Sequence, residues 1–216
     1  MGTFALIIFD LDGTLVDASP DLHTAVNETL AERHLPPRSL AEIHRFIGDG
    51  ARELMLRALP DGQRDLVDEL MPRYLEHYAA HIFDKTYAYP GVDQALTALS
   101  AKIKAVCSNK PERFTRQILD ALGWSHHFGC VLGGDSLPVK KPDPRMLTAV
   151  CDAVHIPAER TVMVGDGPQD IAAAHAAGMA CISVTWGFTP AEVLRQHGPD
   201  QLARSPAELV ELIGRC

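Results

Sequence analysis

Phe4-Ala-Leu-Ile-Ile-Phe-Asp10-Leu-Asp12-Gly13-Thr14-Leu15 sets an unbroken apolar run directly against an acidic, glycine-containing turn. A run without alternation suits a strand buried on both faces of a parallel sheet, because a solvated face would need polar residues at every second position. The acids that follow stand just past the strand's carboxyl end, where open parallel sheets bind their ligands. Similar β-rich runs recur at residues 103–107, 130–132, 161–164 and 180–184. Between them, residues 92–99, 113–122, 144–154 and 169–177 carry apolar side chains at helical spacing, and residues 205–213 read as a last helix opened by Ser205-Pro206. Strands alternating with helices predict an α/β fold, a Rossmann-like three-layer core around a five-stranded parallel sheet.

One long stretch breaks the alternation. Residues 18–86, inserted directly after the first strand and its turn, read only as helix. Ser19 reads as an N-cap followed by Pro20 in the first turn, and Leu22, Ala25, Val26, Thr29 and Leu30 share one face. His34-Leu-Pro-Pro37 ends that helix. A second begins near Ser39, a third covers about 51–59 after Gly48-Asp-Gly50, and a fourth about 64–82. The predicted organisation is a core of residues 1–17 and 87–216 with a four-helix cap, residues 18–86, hinged near 16–18 and 86–90.

Bulk composition narrows the function classes. The chain has 216 residues, with 28 acidic and 20 basic side chains and a formal charge of -8. That sign argues against nucleic acid as a partner, since backbone binding needs clustered Lys and Arg. It is compatible with a small phosphorylated metabolite, because one bound cation reverses the local field. Cys107, Cys130, Cys151, Cys181 and Cys216 show no metal-ligand spacing and read as reduced thiols. The N-terminal apolar run is too short for a signal peptide or a membrane span, so no membrane association and a cytoplasmic location are expected. Monomer and homodimer both stay open.

The chemistry-bearing residues sit past the predicted strand ends. Asp10 and Asp12 follow the first run, Ser108-Asn109-Lys110 the second, Lys140-Lys141-Pro142 lies in the loop after the third, and Gly165-Asp166-Gly167 with Asp170 follows the fourth. Parallel strands place all these ends along one edge. Phosphoryl transfer to an anion requires a divalent cation to offset repulsion. Mg²⁺ takes oxygen ligands, which Asp10, Asp166 and the backbone carbonyl of Asp12 can supply. Lys141 supplies a point charge on the transferring group. The Ser108 hydroxyl and the backbone N–H groups around Gly13 and Asn109 can hold phosphate oxygens. Asp10 is then the nucleophile and Asp12 the acid and base. Gly13 allows the tight turn and close phosphate approach.

These segments resemble, in order, the four motifs of the haloacid dehalogenase superfamily, and the helical insertion resembles that family's cap. The likeness covers essentially the whole chain. A narrower one, to the bacterial phosphoglycolate phosphatases, rests on Leu15-Val-Asp-Ala-Ser-Pro-Asp-Leu22, Ile47-Gly-Asp-Gly-Ala51, Ser108-Asn-Lys-Pro111 and Trp186-Gly-Phe188. The resemblance implies a Mg²⁺-dependent phosphatase working through an aspartyl phosphate on Asp10. It carries over onto Asp10, Asp12, Ser108, Lys141, Asp166 and Asp170. Asp170 is expected either to reach the metal through water or to orient Lys141. Gly167 stands where many relatives have Ser, and Ser108 where many have Thr.

The implied substrate is 2-phosphoglycolate, with sugar phosphates close behind. A phosphomutase on the same scaffold and a non-catalytic phosphate-binding regulatory module are the alternatives. Arg52, after the Gly48-Asp49-Gly50 turn, is the candidate cap receptor for a substrate carboxylate. Asp49 is read either as lining the cap face or as a turn residue. Asp17 and Asp21 are read as serving the N-terminus of the first cap helix, and Trp186 and Phe188 as packing residues.

Overall fold

The computed structural model describes residues 4–214. Its elements in chain order are β1 (Leu6–Phe9), β2 (Val16–Asp17), α1 (Ser19–Ala31), α2 (Leu40–Phe46), α3 (Ala51–Ala58), α4 (Val67–Ala80), β3 (Tyr87–Ala88), α5 (Val92–Ala98), β4 (Ile103–Cys107), α6 (Glu112–Ala121), β5 (Cys130–Leu132), α7 (Arg145–Val154), β6 (Thr161–Gly165), α8 (Pro168–Ala176), β7 (Ala180–Val184), α9 (Ala191–Gln196), β8 (Gln201–Ala203) and α10 (Pro206–Gly214). Six strands form one parallel sheet in the order β5-β4-β1-β6-β7-β8.

The sheet is α/β and parallel as expected, but it has six strands, not five. β8 pairs Gln201, Leu202 and Ala203 with Ile182, Ser183 and Val184 of β7. Three residues with one branched apolar side chain carry no readable strand pattern; the pairing comes from the neighbour. α9 was likewise not read from the sequence. Cys216 lies outside the described residues, while Cys107, Cys151 and Cys181 are buried free thiols and Cys130 is half-buried.

Alternation along β1 feeds two cores. Leu6 and Ile8 pack with Met146, Leu147, Val150, Ile171 and Ala174 of α7 and α8 on one face. Ile7 and Phe9 point to the other, among Leu96, Phe114, Ile118 and Leu209. The second core runs on without a break into the inserted helices through Leu22, Val26, Leu54, Leu70 and Tyr74.

Helix ends follow local chemistry. α1 has Pro20 in its first turn, and its first residue is Ser19, not a cap; the Asp17 carboxylate accepts from the Ser19 N–H at 2.9 Å instead. α2 opens with a full capping box between Ser39 and Glu42.

The two chain segments joining the insertion to the sheet pair with each other. Val16 and Asp17 of β2 lie antiparallel to Ala88 and Tyr87 of β3. Asp21, fully buried, accepts from the Lys85 N–H at 3.0 Å, the Thr86 N–H at 2.8 Å and the Thr86 hydroxyl at 2.7 Å. Asp21 therefore ties the outgoing helix to the returning linker, rather than serving the helix N-terminus. Among the described residues, no helix is long and apolar enough to cross a membrane.

Candidate active site

Register places the site. Phe9 of β1 pairs with Val106 of β4 on one side and Val164 of β6 on the other, so three strands end at one level. The Asp10 N–H continues the ladder to the Val164 carbonyl at 2.9 Å, and the Ser108 N–H to the Leu132 carbonyl at 3.0 Å. Asp10, Ser108 and Asp166 therefore emerge side by side, all buried. The tight turn after β1 depends on Gly13, whose φ is +81° and whose missing Cβ would lie 2.2 Å from Asp166 Oδ2.

Asp10, Asp166 and Asp170 bring one carboxylate oxygen each within 4.8 Å of the others. Lys141 Nζ, with no solvent exposure, lies 2.6 Å from Asp170 Oδ1 and 3.1 Å from Asp10 Oδ1. Burial alone would pull the Lys141 ammonium down, but Asp10 and Asp170 push it up and keep it charged. Asp166 is pushed well above the ordinary carboxylate range, first by burial and then by Asp10 and Asp170. With all three acids ionised, three buried carboxylates face one buried ammonium, two positive charges short of neutrality. An all-oxygen donor set with that deficit fits a hard divalent cation such as Mg²⁺.

The members of the cluster are individually oriented. The Leu11 N–H donates to Asp10 Oδ1 at 2.8 Å. Asp166 Oδ2 accepts from the Phe188 N–H at 2.8 Å, and its Oδ1 lies 3.5 Å from the Thr14 hydroxyl. Asp170 Oδ2 accepts from the Gly167 N–H at 3.0 Å, so both its oxygens are engaged. Asp170 belongs geometrically to the carboxylate group, and its nearest bond is to Lys141. Burial lifts its carboxyl, against the pull of Lys141, to about 6.

Asn109 is at the site but its side chain is not free for phosphate. Its amide NH₂ donates to the Gly48 carbonyl and to the Lys141 carbonyl, each at 2.9 Å, and its oxygen accepts from the Lys141 N–H at 2.9 Å. It anchors the lysine loop and touches the inserted helical segment. The adjacent Lys141–Pro142 peptide is cis.

Lys110, which the sequence reading left without a role, is a second buried cation. Its Nζ lies 2.7 Å from Asp12 Oδ2 and 4.8 Å from the centre of the Tyr78 ring. Asp12 is raised by burial, with Lys110 acting in the opposite direction. The other oxygen of Asp12 is buried with no hydrogen-bond partner among the described residues.

Two recesses meet at Asp12. One is a small cavity of about 40 Å³ between sheet edge and helices, lined by Asp10, Asp12, Ser108, Lys110 and Tyr78 among apolar walls. The other is an open cleft that passes Asp166 and is bordered by His44, Arg57 and Phe188. The His44 ring stacks on Phe188 with centres 5.2 Å apart, and His44 Nε2 lies 2.8 Å from Ser19 Oγ. Phe188 therefore does more than pack: its backbone holds Asp166 and its ring meets α2. Trp186 donates its indole N–H to the Thr14 carbonyl at 3.0 Å, bracing the same turn.

Arg52 is not brought to the site. It is exposed and forms a forked pair with Asp68 at 2.8 and 3.0 Å on the outer side of α3 and α4. Ala51, Leu54, Met55 and Ala58 are the residues that α3 turns inward, and one residue of helix rotates Arg52 off that face. Asp49 borders the cleft and pairs with Arg57, which also donates to the Phe46 carbonyl at 3.1 Å.

Comparisons with known proteins agree on the family. The model of the haloacid dehalogenase-like hydrolases matches residues 7–184. A phosphoglycolate phosphatase of Psychrobacter arcticus is 38% identical over 219 residues, covering 96% of this chain and 95% of that protein. One from Cereibacter sphaeroides is 43% identical over 202 residues, covering 89% and 91%. Among solved structures, a predicted phosphoglycolate phosphatase from Haemophilus somnus superposes with a TM-score of 0.89 at 33% identity, over 98% of this chain and 99% of that one.

Proposed function

The chain belongs to the haloacid dehalogenase-like hydrolase family, and from that premise we propose that it is a Mg²⁺-dependent phosphatase acting on a small phosphoester, 2-phosphoglycolate first. The observation that carries this reading is the buried gathering of Asp10, Asp166, Asp170 and Lys141 at one sheet edge, with Asp12 beside it.

In the proposed reaction the Asp10 carboxylate attacks phosphorus and forms an aspartyl phosphate as the alkoxide leaves. Asp12, whose raised carboxyl retains a proton more readily than an exposed acid, protonates that alkoxide. It then takes a proton from the water that hydrolyses the intermediate. Lys141 stays charged and offsets the negative charge on the transferring oxygens. Ser108 and the turn N–H groups hold those oxygens. When bound at Asp10, Asp166 and the Asp12 carbonyl, Mg²⁺ supplies the charge that lets an anionic nucleophile approach a phosphoryl group. Asp170 fixes Lys141.

Substrate size and sign support the two-carbon ester. The cavity beside Asp10 is small, about 40 Å³, so a compact ester suits it better than a bulky one and entry of either needs the helices to move apart. All of the relatives described above are named for phosphoglycolate. Residues 18–86 act in this reading as a cap that opens for substrate and closes over it, pivoting where β2 and β3 pair.

The test is release of inorganic phosphate from 2-phosphoglycolate with Mg²⁺ and with a chelator, in the native chain and in Asp10→Asn. Turnover that needs Mg²⁺ and vanishes in the variant is expected. No turnover of any phosphoester in Mg²⁺ would reject the reading.

A further inference from the structure

Lys110 and Tyr78 occupy the small cavity for a reason that phosphoryl transfer alone does not supply. The reaction above already has its cation in Lys141, paired with Asp10 and Asp170. Lys110 is a second ammonium, 4% exposed in its side chain, paired with Asp12. Among the described residues lining that cavity it is the sole cation, and the walls around it are Leu22, Ile47, Leu54, Tyr74, Pro111 and Phe114.

Burying an ammonium among apolar walls costs several kcal/mol unless it is paired. The pairing partner here is Asp12, the group that must reach the leaving oxygen. A lysine whose one carboxylate partner has other work to do is poised to exchange it for another anion. Tyr78 gives an independent pointer. Its side chain is buried, it lines the same cavity, and its hydroxyl has no hydrogen-bond partner among the described residues. A buried hydroxyl left unpaired costs about 1–3 kcal/mol. Burial also pushes Tyr78 well above the usual phenol range, so the hydroxyl keeps its proton and can donate. The Lys110 ammonium lies 4.8 Å from the Tyr78 ring centre, close enough for both groups to address one ligand atom cluster.

We infer that Lys110 and Tyr78 form the receptor for a second anionic group of the substrate, a carboxylate one or two carbons from the phosphoester oxygen. This role replaces the one assigned from sequence to Arg52, and it rests on the phosphatase reading above. The carboxylate binds Lys110 and the Tyr78 hydroxyl, and Lys110 in turn releases Asp12 toward the leaving oxygen. Substrates with a neutral chain leave Lys110 on Asp12 and are turned over poorly. Recognition and acid catalysis are thereby coupled through one lysine.

The experiment compares 2-phosphoglycolate with ethyl phosphate, which has the same two carbons and no carboxylate. The quantity read is the ratio of kcat/KM for the two esters, so that any general effect on Asp12 cancels. The native chain is expected to prefer the carboxylate ester. Lys110→Met should cut the preference by about 30-fold or more, the loss typical of truncating one member of a buried charge pair. Lys110→Arg should restore part of it. Tyr78→Phe should cut it by about 10-fold, as for a hydrogen bond to a charged group, with a Tm no lower than native because the hydroxyl has no hydrogen-bond partner among the described residues. Should Lys110→Met fail to fold, Tyr78→Phe carries the test alone. Parallel losses on both esters, or a native chain indifferent to the carboxylate, overturn the inference and leave the phosphatase reading standing. A native chain that hydrolyses neither ester overturns both.

Discussion

Removing the Asp21 carboxylate should loosen the insertion from the sheet, and the structure allows the size of that effect to be worked out. Asp21 has no exposed surface and accepts from three donors, the N–H groups of Lys85 and Thr86 and the Thr86 hydroxyl. In Asp21→Ala these donors lose their acceptor together. Lys85 is exposed, so its N–H regains water at little cost. Thr86 is buried, and its two donors do not. Hydrogen bonds to a charged group contribute about 1.5–3 kcal/mol each, so the two Thr86 bonds together should be worth roughly 3–6 kcal/mol. At about 2–4 °C per kcal/mol for a chain of this length, Tm should fall by roughly 6–24 °C. Asp21→Asn keeps one acceptor oxygen and turns an NH₂ toward the other donors, so about half that loss is expected. Differential scanning calorimetry of the three proteins reads the series. A Tm for Asp21→Ala within about 2 °C of the native value would refute the reasoning, because it would mean that the β2–β3 pairing holds the linkers without the carboxylate.

Other consequences are as definite. In Gly13→Ala the new methyl would overlap Asp166 Oδ2 in a turn whose φ of +81° disfavours any side chain, so Mg²⁺-dependent turnover should fall by about 100-fold or more, measured by phosphate release across a Mg²⁺ titration; activity within about threefold of native would contradict the placement of Asp166. Asp170→Asn should lower kcat by about 10²-fold with little change in KM, because Lys141 keeps Asp10 at 3.1 Å but loses the negative charge of its 2.6 Å partner; a change confined to KM would argue that Asp170 serves binding instead. Asp12, Asp166 and Asp170 are all raised, first by burial, and Asp170 to about 6. A raised carboxyl holds a proton in the folded chain that the unfolded chain has released, so its contribution is complete below about pH 4 and is lost as pH climbs through the folded value. Exposed acids such as Glu32 and Asp143, each lowered to about 2 first by side-chain hydrogen bonds from Arg73 and Arg145, have the opposite sign but finish titrating below about pH 5. In chelator, Tm should therefore drop between about pH 5 and pH 7, and Mg²⁺ should remove the drop; a flat or rising Tm in chelator would show that the acids are not proton-linked in this way.

Most of the sheet was legible because each central strand declares itself locally. Leu6–Phe9 and Thr161–Gly165 are buried throughout and Ile103–Cys107 and Ala180–Val184 beyond their first residues, and that environment selects predominantly apolar runs. β8 escaped because it is an edge strand whose pairing is dictated by Ile182–Val184 and not by its own side chains. The α2 start at Ser39 was readable because a capping box is complete within four residues. Asp17 does serve the start of α1, but the role of Asp21 was read too locally. An acid in a first helical turn has a ready explanation in the helix dipole, and nothing nearby in sequence hints that the donors to Asp21 lie more than sixty residues away.

The same distinction between local and long-range information decides what could be read of the site. Asp10, Ser108 and Asp166 are strand-end residues, Lys141 lies in the loop after β5, and a parallel sheet aligns its strand ends whatever lies between them. Their convergence follows from topology alone. Arg52 was within reach of a better local reading: Ala51, Leu54, Met55 and Ala58 repeat at helical spacing, which leaves Arg52 about 100° off the inward face. Lys110 was not. Its place beside Ser108 and Asn109 puts it at the sheet edge, but a lysine there serves equally well on the surface, and only the packing of α4 over the edge buries it against Tyr78 and Asp12. In the proposed reaction, sheet topology thus governs the groups that act on phosphorus, and docking of the inserted helices governs the groups that face the rest of the substrate. Two proteins sharing every strand-end residue can therefore differ in substrate through residues such as Tyr78, which lie on an inserted helix and carry no motif of their own.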